Sequence, residues 1–303
     1  MYSEKLLYAI MADEGDLENQ AMILTRSIRS YAGKYHHHPI WILFPDEFSD
    51  IPEHILTEYE QLNVRLIPFS IKKSFLKFPF AAKSIAASIA EDLASDHFER
   101  MAWFDSTSIL FNEPDPLIIP DHIVLGYRPV DHTLIGSSFY EALDDFWKNI
   151  YQVCNVSNES IFPMQTMADN QIIRPYFNAG FFVVNPRMNL LQNWSENFKN
   201  YYQLDIFQSF FKTDNRYEIF FHQAIFSGTI LSSLLPEDFI EIPNTVNYPL
   251  HMHWEIPEER RIKNIKDLIS GRYCMDYNPT WLSDIPLEEP LKSWLLHQFK
   301  LLQ

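Results

Sequence analysis

Short apolar runs alternate with longer amphipathic stretches along the first part of the chain. Leu6 to Met11 reads as a buried strand that ends in the turn-forming Ala12-Asp13-Glu14-Gly15-Asp16. Asn19 to Tyr31 places Met22, Ile23, Ile28 and Tyr31 at helical spacing, with Arg26 and Arg29 between them, and Gly33 closes it. Ile40 to Phe44, Pro52 to Gln61 and Val64 to Pro68 continue as strand, helix and strand. Elements of these lengths in this order predict an α/β fold, a mostly parallel central sheet flanked by helices.

The alanine-rich stretch Phe80 to Leu93 is a further helix, preceded by the basic cluster Lys72, Lys73 and Lys77. Lys83 falls in its first turn, where the helix dipole does not call for a cation. Met101 to Phe104 is apolar, breaks at Asp105-Ser106-Thr107-Ser108 and resumes at Ile109 to Phe111. Ligands in open parallel sheets bind beyond the carboxyl ends of strands, which makes Asp105 a candidate site residue. An Asx-type turn explains the same residues equally well. Ile118 to Leu125 reads as a strand and Ser137 to Cys154 as a helix with Phe139, Leu143, Phe146, Trp147, Ile150 and Tyr151 on one face.

Phe181 to Val184 is too short for a helix, and its aromatic and β-branched residues suit a buried strand that Asn185-Pro186 ends. Asn178 and Gly180 are expected just ahead of it. There the glycine allows close backbone approach, and the asparagine offers both a donor and an acceptor. A buried strand with a glycine at its mouth is one reading, the floor of a polar-ligand site the other. Helices over Leu190 to Tyr202 and Glu218 to Leu235 and a strand over Phe239 to Ile242 follow. Asn244 to Tyr248 and His251 to Trp254 are polar, aromatic loops. The tail from Pro257 is charged, helical in patches, and ends in an amphipathic helix carrying Trp294, Leu295, Phe299 and Leu302. The expected division is a domain over residues 1–256 with a helical extension, 257–303, packed on it.

Composition narrows the function. A net charge of −16 argues against non-specific binding to nucleic acid or anionic membranes. Two cysteines, Cys154 and Cys274, form neither a metal knuckle nor a disulfide framework. The triplet His36-His37-His38 reads as a solvated linker, since adjacent side chains on an extended loop do not converge on one ion. No signal peptide or membrane span is apparent, and a cytoplasmic location is expected. Aromatics make up 15% of the residues; they fill cores and also line sugar and nucleobase sites.

Five segments in order resemble the GT-A-type nucleotide-diphospho-sugar transferases, closest to the glycogenin-like and galactosyltransferase-like family 8 group. They are the first strand with its Ala12-Asp13 loop; Ser27-Ile28-Arg29-Ser30, similar to "SLRS"; and Trp103-Phe104-Asp105-Ser106-Thr107, where the family has "YLDAD". Phe177-Asn178-Ala179-Gly180-Phe181-Phe182-Val183-Val184-Asn185, similar to "FNAGVMLVN", is the most specific. Phe221-His222-Gln223-Ala224-Ile225 stands where the family has "DQDAL". The resemblance spans roughly residues 5 to 250. It implies a glycosyltransferase that takes a nucleotide-sugar, a UDP-sugar first, to a carbohydrate or other hydroxyl acceptor.

By the same resemblance, Ala12, Asp13, Lys83, Asp105 and Thr107 bind the donor. Asn178 and Gln223 act at the reacting sugar, and a divalent ion, Mn²⁺ or Mg²⁺, is held by Asp105 with His251 or His253. The sequence departs from the family in three places. Thr107 replaces the second acid of Asp-x-Asp, His222 replaces the acid before Gln223, and no Gly-x-x-Lys-Pro-Trp follows the histidines. A neutral hydroxyl is a poor ligand for a hard cation, so a metal-independent variant leaning on Lys83 or Arg128, or a non-catalytic binding relative, also fits. A nucleotidyltransferase fits less well, because the loop after the first strand is acidic with a single glycine.

Overall fold

The computed structural model describes residues 4–300. In chain order the elements are β1 (Glu4–Met11), α1 (Gln20–Tyr31), β2 (Ile40–Pro45), α2 (Glu53–Gln61), β3 (Val64–Phe69), α3 (Lys73–Leu76), α4 (Ala81–Ala94), β4 (Phe98–Asp105) and β5 (Ser108–Leu110). Then come β6 (Leu125–Pro129), α5 (Asp145–Cys154), β7 (Met164–Gln165), β8 (Ile172–Ile173), β9 (Phe177–Val184), α6 (Leu190–Tyr201), α7 (Asp205–Thr213) and α8 (Asn215–Ser233). The last are β10 (Phe239–Glu241), β11 (Tyr248–Pro249), β12 (Ser270–Arg272), α9 (Trp281–Asp284) and α10 (Leu291–Lys300).

Seven strands form the central sheet in the order β10-β6-β9-β4-β1-β2-β3. The pairs β1–β2, β1–β4, β2–β3 and β6–β10 are parallel, whereas β9 runs antiparallel to both β4 and β6. The mostly parallel α/β architecture is as the pattern predicts. After β3 the chain crosses back to pair β4 on the other side of β1, so the carboxyl ends of β1 and β4 flank a topological switch point, the usual crevice of such sheets.

Alternation along the strands feeds one core on each face. Leu7, Ala9 and Met11 of β1 join α4, α6 and α8 on one side, while Leu6, Tyr8 and Ile10 join α1 and α2 on the other. The alanines of α4 (Ala82, Ala86, Ala87, Ala90 and Ala94) let it lie close over the sheet and against α6. A smaller third core joins Ile23, Ile109 and Tyr248 to the tail through Leu268, Tyr273, Trp281, Leu295 and Phe299.

Four local expectations are corrected. The strand expected from Phe181 starts at Phe177, so Asn178 and Gly180 lie inside it. The strand expected over Ile118 to Leu125 is β6, Leu125–Pro129. The helix expected from Ser137 starts only at Asp145, where Asp144 Oδ1 accepts from Trp147 N at 3.0 Å and caps it; Ser138 instead bridges to Ile173. The tail is not helical throughout, because β12 pairs antiparallel with β5 and parallel with β11. The His36–His38 triplet lies between α1 and β2, with His36 Nδ1 at 2.8 Å from Gly33 O and His38 Nδ1 at 3.1 Å from Leu6 O.

Candidate active site

The site is built where three chain segments meet the end of β4. Met11 of β1 pairs with Asp105, so the loop after β1 runs beside the Asp105-Ser106-Thr107 turn, and Ser106 Oγ donates to Asp16 Oδ2 at 2.7 Å. The start of α4 supplies a cation. Lys83 Nζ lies 2.6 Å from Asp105 Oδ1, with the lysine side chain 8% and the aspartate 24% exposed. Phe80, just ahead of α4, sits in the left-handed region at φ 55°. Its ring is 4.8 Å from the His222 ring and 5.0 Å from Lys83 Nζ, yet the residue stays 46% exposed. A bulky side chain in that backbone region is strained, and such strain collects at ligand sites.

The antiparallel course of β9 brings its first residues, not its last, to the carboxyl end of β4: Phe181 pairs with Phe104. Two steps along β6, Tyr127 to Pro129, are matched by five along β9, Phe182 back to Phe177. This bulge flips the alternation, so Phe177 and Ala179 share a core face with Phe182 and Val184 while Phe181 and Val183 face the other way. Asn178 Oδ1 accepts from Gly180 N at 2.8 Å within it. Gln223 Oε1 of α8 accepts from Ala179 N at 2.9 Å, which makes its amide nitrogen the donor end, with the Tyr176 hydroxyl beside it. Ser227 Oγ accepts from Phe177 N at 3.0 Å and donates to Gln223 O, tying α8 to the strand. A Cβ on Gly180 would sit 2.5 Å from Asp105 Oδ2, so only glycine lets this carboxylate lie against the strand.

The tail closes the far wall. Pairing of Arg272 with Ser108 sets β12 beside the turn after β4, and Arg272 Nη2 meets Asp131 Oδ2 at 2.6 Å. His251 Nδ1 lies 3.1 Å from Arg272 O. Burial, with Arg272 nearby, pushes the His251 imidazole down to about 3, and burial with Lys83 nearby pushes His222 well below the usual range. Both are neutral rings at neutral pH.

Two clefts result. One, of about 190 Å³, is lined by Asp13, Asp16, Gln20, Ser106 and Thr107 among others. The other, of about 280 Å³, takes in Asp131, Asn178, Gln223, His251, Arg272 and Tyr277. Phe80, Lys83 and Asp105 line both. Of the residues singled out from sequence, Asp13, Lys83, Asp105, Thr107, Asn178, Gln223 and His251 therefore converge on one double cleft. Ala12 does not reach it: it is fully buried at the end of β1, its N–H donating to Leu43 O. His253 turns elsewhere, with Nδ1 at 2.9 Å from Tyr248 Oη. Arg128 is spent on Glu241 and Ile242 O at the β6–β10 edge.

Sequence reasoning passed over Phe80, Asp131 and Arg272 as site residues. The one local signal for Arg272 was Ile269-Ser270-Gly271-Arg272-Tyr273, an alternating stretch inside a charged tail.

The sequence profile of the Rhodobacterales glycosyltransferase domain matches residues 8–208, from within β1 to the first turn of α7. The chain belongs to that glycosyltransferase family. Its structure is similar to that of the galactosyltransferase LgtC, solved with donor and acceptor sugar analogues, at 14% identity and a TM-score of 0.51, covering 88% of this chain and 87% of that one. It is also similar to the bifunctional glycosyltransferase WbbM at 13% identity and a TM-score of 0.56, covering 98% of this chain but only 52% of WbbM. These likenesses establish the GT-A fold of the transferase. No curated protein sequence matches it. Among the described residues, no helix is long and apolar enough to cross a membrane.

GT-A transferases often hold a divalent ion, and the donor set of this transferase does not fit one. Among the described residues no three His, Cys, Asp or Glu side chains gather as metal ligands. Asp105 has an ammonium on Oδ1, Thr107 offers only a hydroxyl, His251 has the positive charge of Arg272 beside it, and His253 lies outside the cleft lining.

Proposed function

We propose that the double cleft binds a nucleoside-diphospho-sugar, a UDP-sugar first, and that the transferase moves the sugar to a hydroxyl of a carbohydrate or similar acceptor. The observation that carries this reading is the junction itself: two clefts meet at Lys83, Asp105 and Phe80, matching a ligand with a nucleoside at one end, a sugar at the other and a diphosphate between. Asp13, with Asp16 beside it, supplies acceptors for nucleoside N–H and hydroxyl donors, and Thr107 closes that end. Asn178 and Gln223 orient the sugar hydroxyls from a rigid strand and helix. Residues 1–256 carry most of the site, and the 257–303 extension completes it through Arg272.

Transfer requires the charge developing on the departing diphosphate to be stabilised by fixed donors. Lys83 is placed to do this. A second reading, binding without transfer, draws support from the neutral His222 that stands where a carboxylate would face the sugar.

The test is a thermal-shift screen of UDP, GDP, ADP and their sugar conjugates. A ligand at a hundred times its Kd adds about 2.7 kcal/mol to stability, a shift of several degrees at most in a chain of this size. A shift followed by hydrolysis or transfer of the sugar supports the enzyme. A shift with neither supports the binding-only reading, and no shift with any of them removes both.

A further inference from the structure

We infer that this transferase binds the diphosphate of its donor with its own cations, Lys83 assisted by Arg272, in place of a divalent metal ion. The inference rests on the donor-site reading above and deepens it. Among the described residues Asp105 is the one carboxylate that lines both clefts, and one of its oxygens already holds a cation. Oδ1 holds Lys83 Nζ at 2.6 Å, and Oδ2 lies against Gly180 so closely that no Cβ fits there. A hard divalent ion sits about 2.1–2.5 Å from its oxygen ligands and wants several of them. It would have to displace a sheltered ammonium, and the residue two positions on, Thr107, brings no second charge to hold it. His251 in the second cleft turns Nδ1 to the backbone of Arg272 and keeps Nε2 as an acceptor, but the positive charge of Arg272 beside it disfavours a further cation.

The same two cations have donors to spare. An ammonium has three N–H groups, and Asp105 takes one. Asp131 takes Arg272 Nη2, while Arg272 Nε is buried without a partner. A planar guanidinium fork matches phosphate oxygens in pairs, and a lysine adds a point charge. In the transfer, the bond from the sugar's anomeric carbon to the diphosphate oxygen breaks with its electron pair on that oxygen, where Lys83 donates. The acceptor oxygen forms the new bond to the anomeric carbon, and its proton is released to solvent.

The experiment is calorimetric titration of the whole chain with UDP, GDP, ADP, CDP and dTDP, each in excess EDTA and each in Mn²⁺. Free Mn²⁺ is followed in parallel by its electron spin resonance signal. Wild type, Lys83→Gln and Lys83→Arg are compared after circular dichroism has confirmed folding. The expected result is one nucleotide whose Kd agrees within about threefold in EDTA and Mn²⁺, with no protein-dependent loss of free Mn²⁺. Lys83→Gln then weakens it by about tenfold or more, and Lys83→Arg retains most of the affinity.

Binding more than about threefold tighter in Mn²⁺, with uptake of the ion, overturns the inference and leaves the donor site standing. Unchanged affinity in a folded Lys83→Gln variant overturns the role of Lys83. Absence of binding by all five nucleotides in both conditions overturns the donor-site reading, and the inference with it. The EDTA–Mn²⁺ comparison on wild type decides the metal question even where a variant does not fold.

Discussion

Glu91→Gln tests how α4, the helix that carries Lys83, is held in place. Glu91 is fully buried at the contact of α4 with α6. Asn189, which precedes α6, makes no side-chain cap, and the Glu91 carboxyl takes over: Oε2 accepts from Leu191 N and Gln192 N, each at 2.9 Å. Oε1 has no partner. Burial raises the carboxyl from 4.5 to about 7, against the lowering effect of those N–H groups. Each tenfold gain in proton affinity is worth about 1.4 kcal/mol, so a rise of this size amounts to roughly 3 kcal/mol.

The sign follows from the direction. The native chain binds this proton more tightly than the unfolded chain, so the contribution is fully present below about pH 4.5 and is lost as pH rises to about 7. Glutamine keeps an acceptor for the two N–H groups and does not titrate. Urea unfolding followed by tryptophan fluorescence at several pH values gives the stability of both proteins, provided their m-values agree. The stability of Glu91→Gln relative to wild type is expected to climb by roughly 3 kcal/mol between about pH 4.5 and about pH 8. A difference that stays flat within about 0.5 kcal/mol would refute the reasoning, because the carboxyl would then titrate alike in the folded and unfolded chains.

Other perturbations probe the site more directly. Gly180→Ala forces a Cβ to within 2.5 Å of Asp105 Oδ2, and should cost about 1–3 kcal/mol in chemical denaturation as well as weakening nucleotide binding. Ser227→Ala leaves Phe177 N buried without its acceptor and should cost about 1–3 kcal/mol by the same measurement. His251, whose pKa is lowered, contributes stability that is present above about pH 6.5 and lost as pH falls. Wild type should therefore lose roughly 2 kcal/mol between about pH 6.5 and pH 5 that His251→Gln does not lose, and parallel curves for the two would count against a buried neutral ring.

Much of this site is written in local sequence. Apolar runs bounded by turn formers mark β1, β2, β3 and β4, and the polar break at Asp105 marks a strand end, because strand burial and turn chemistry are properties of a few adjacent residues. The Asn178-Ala179-Gly180 step announced a close backbone approach, and the approach is real: it is made by the Asp105 carboxylate. What the chain alone determined about this protein is therefore the α/β order of its elements, the position of Asp105 at a strand end and the need for glycine at 180.

Tertiary structure decided the rest. The antiparallel direction of β9 and its bulge depend on which strands flank it, and no periodicity within eight residues records that. The ion pair of Lys83 with Asp105 depends on how α4 crosses the sheet, and Arg272 reaches the cleft only because β12 pairs with a strand far back in the chain. Which charges meet is a matter of distance through space, and Coulomb interactions between side chains follow that distance, not separation along the chain.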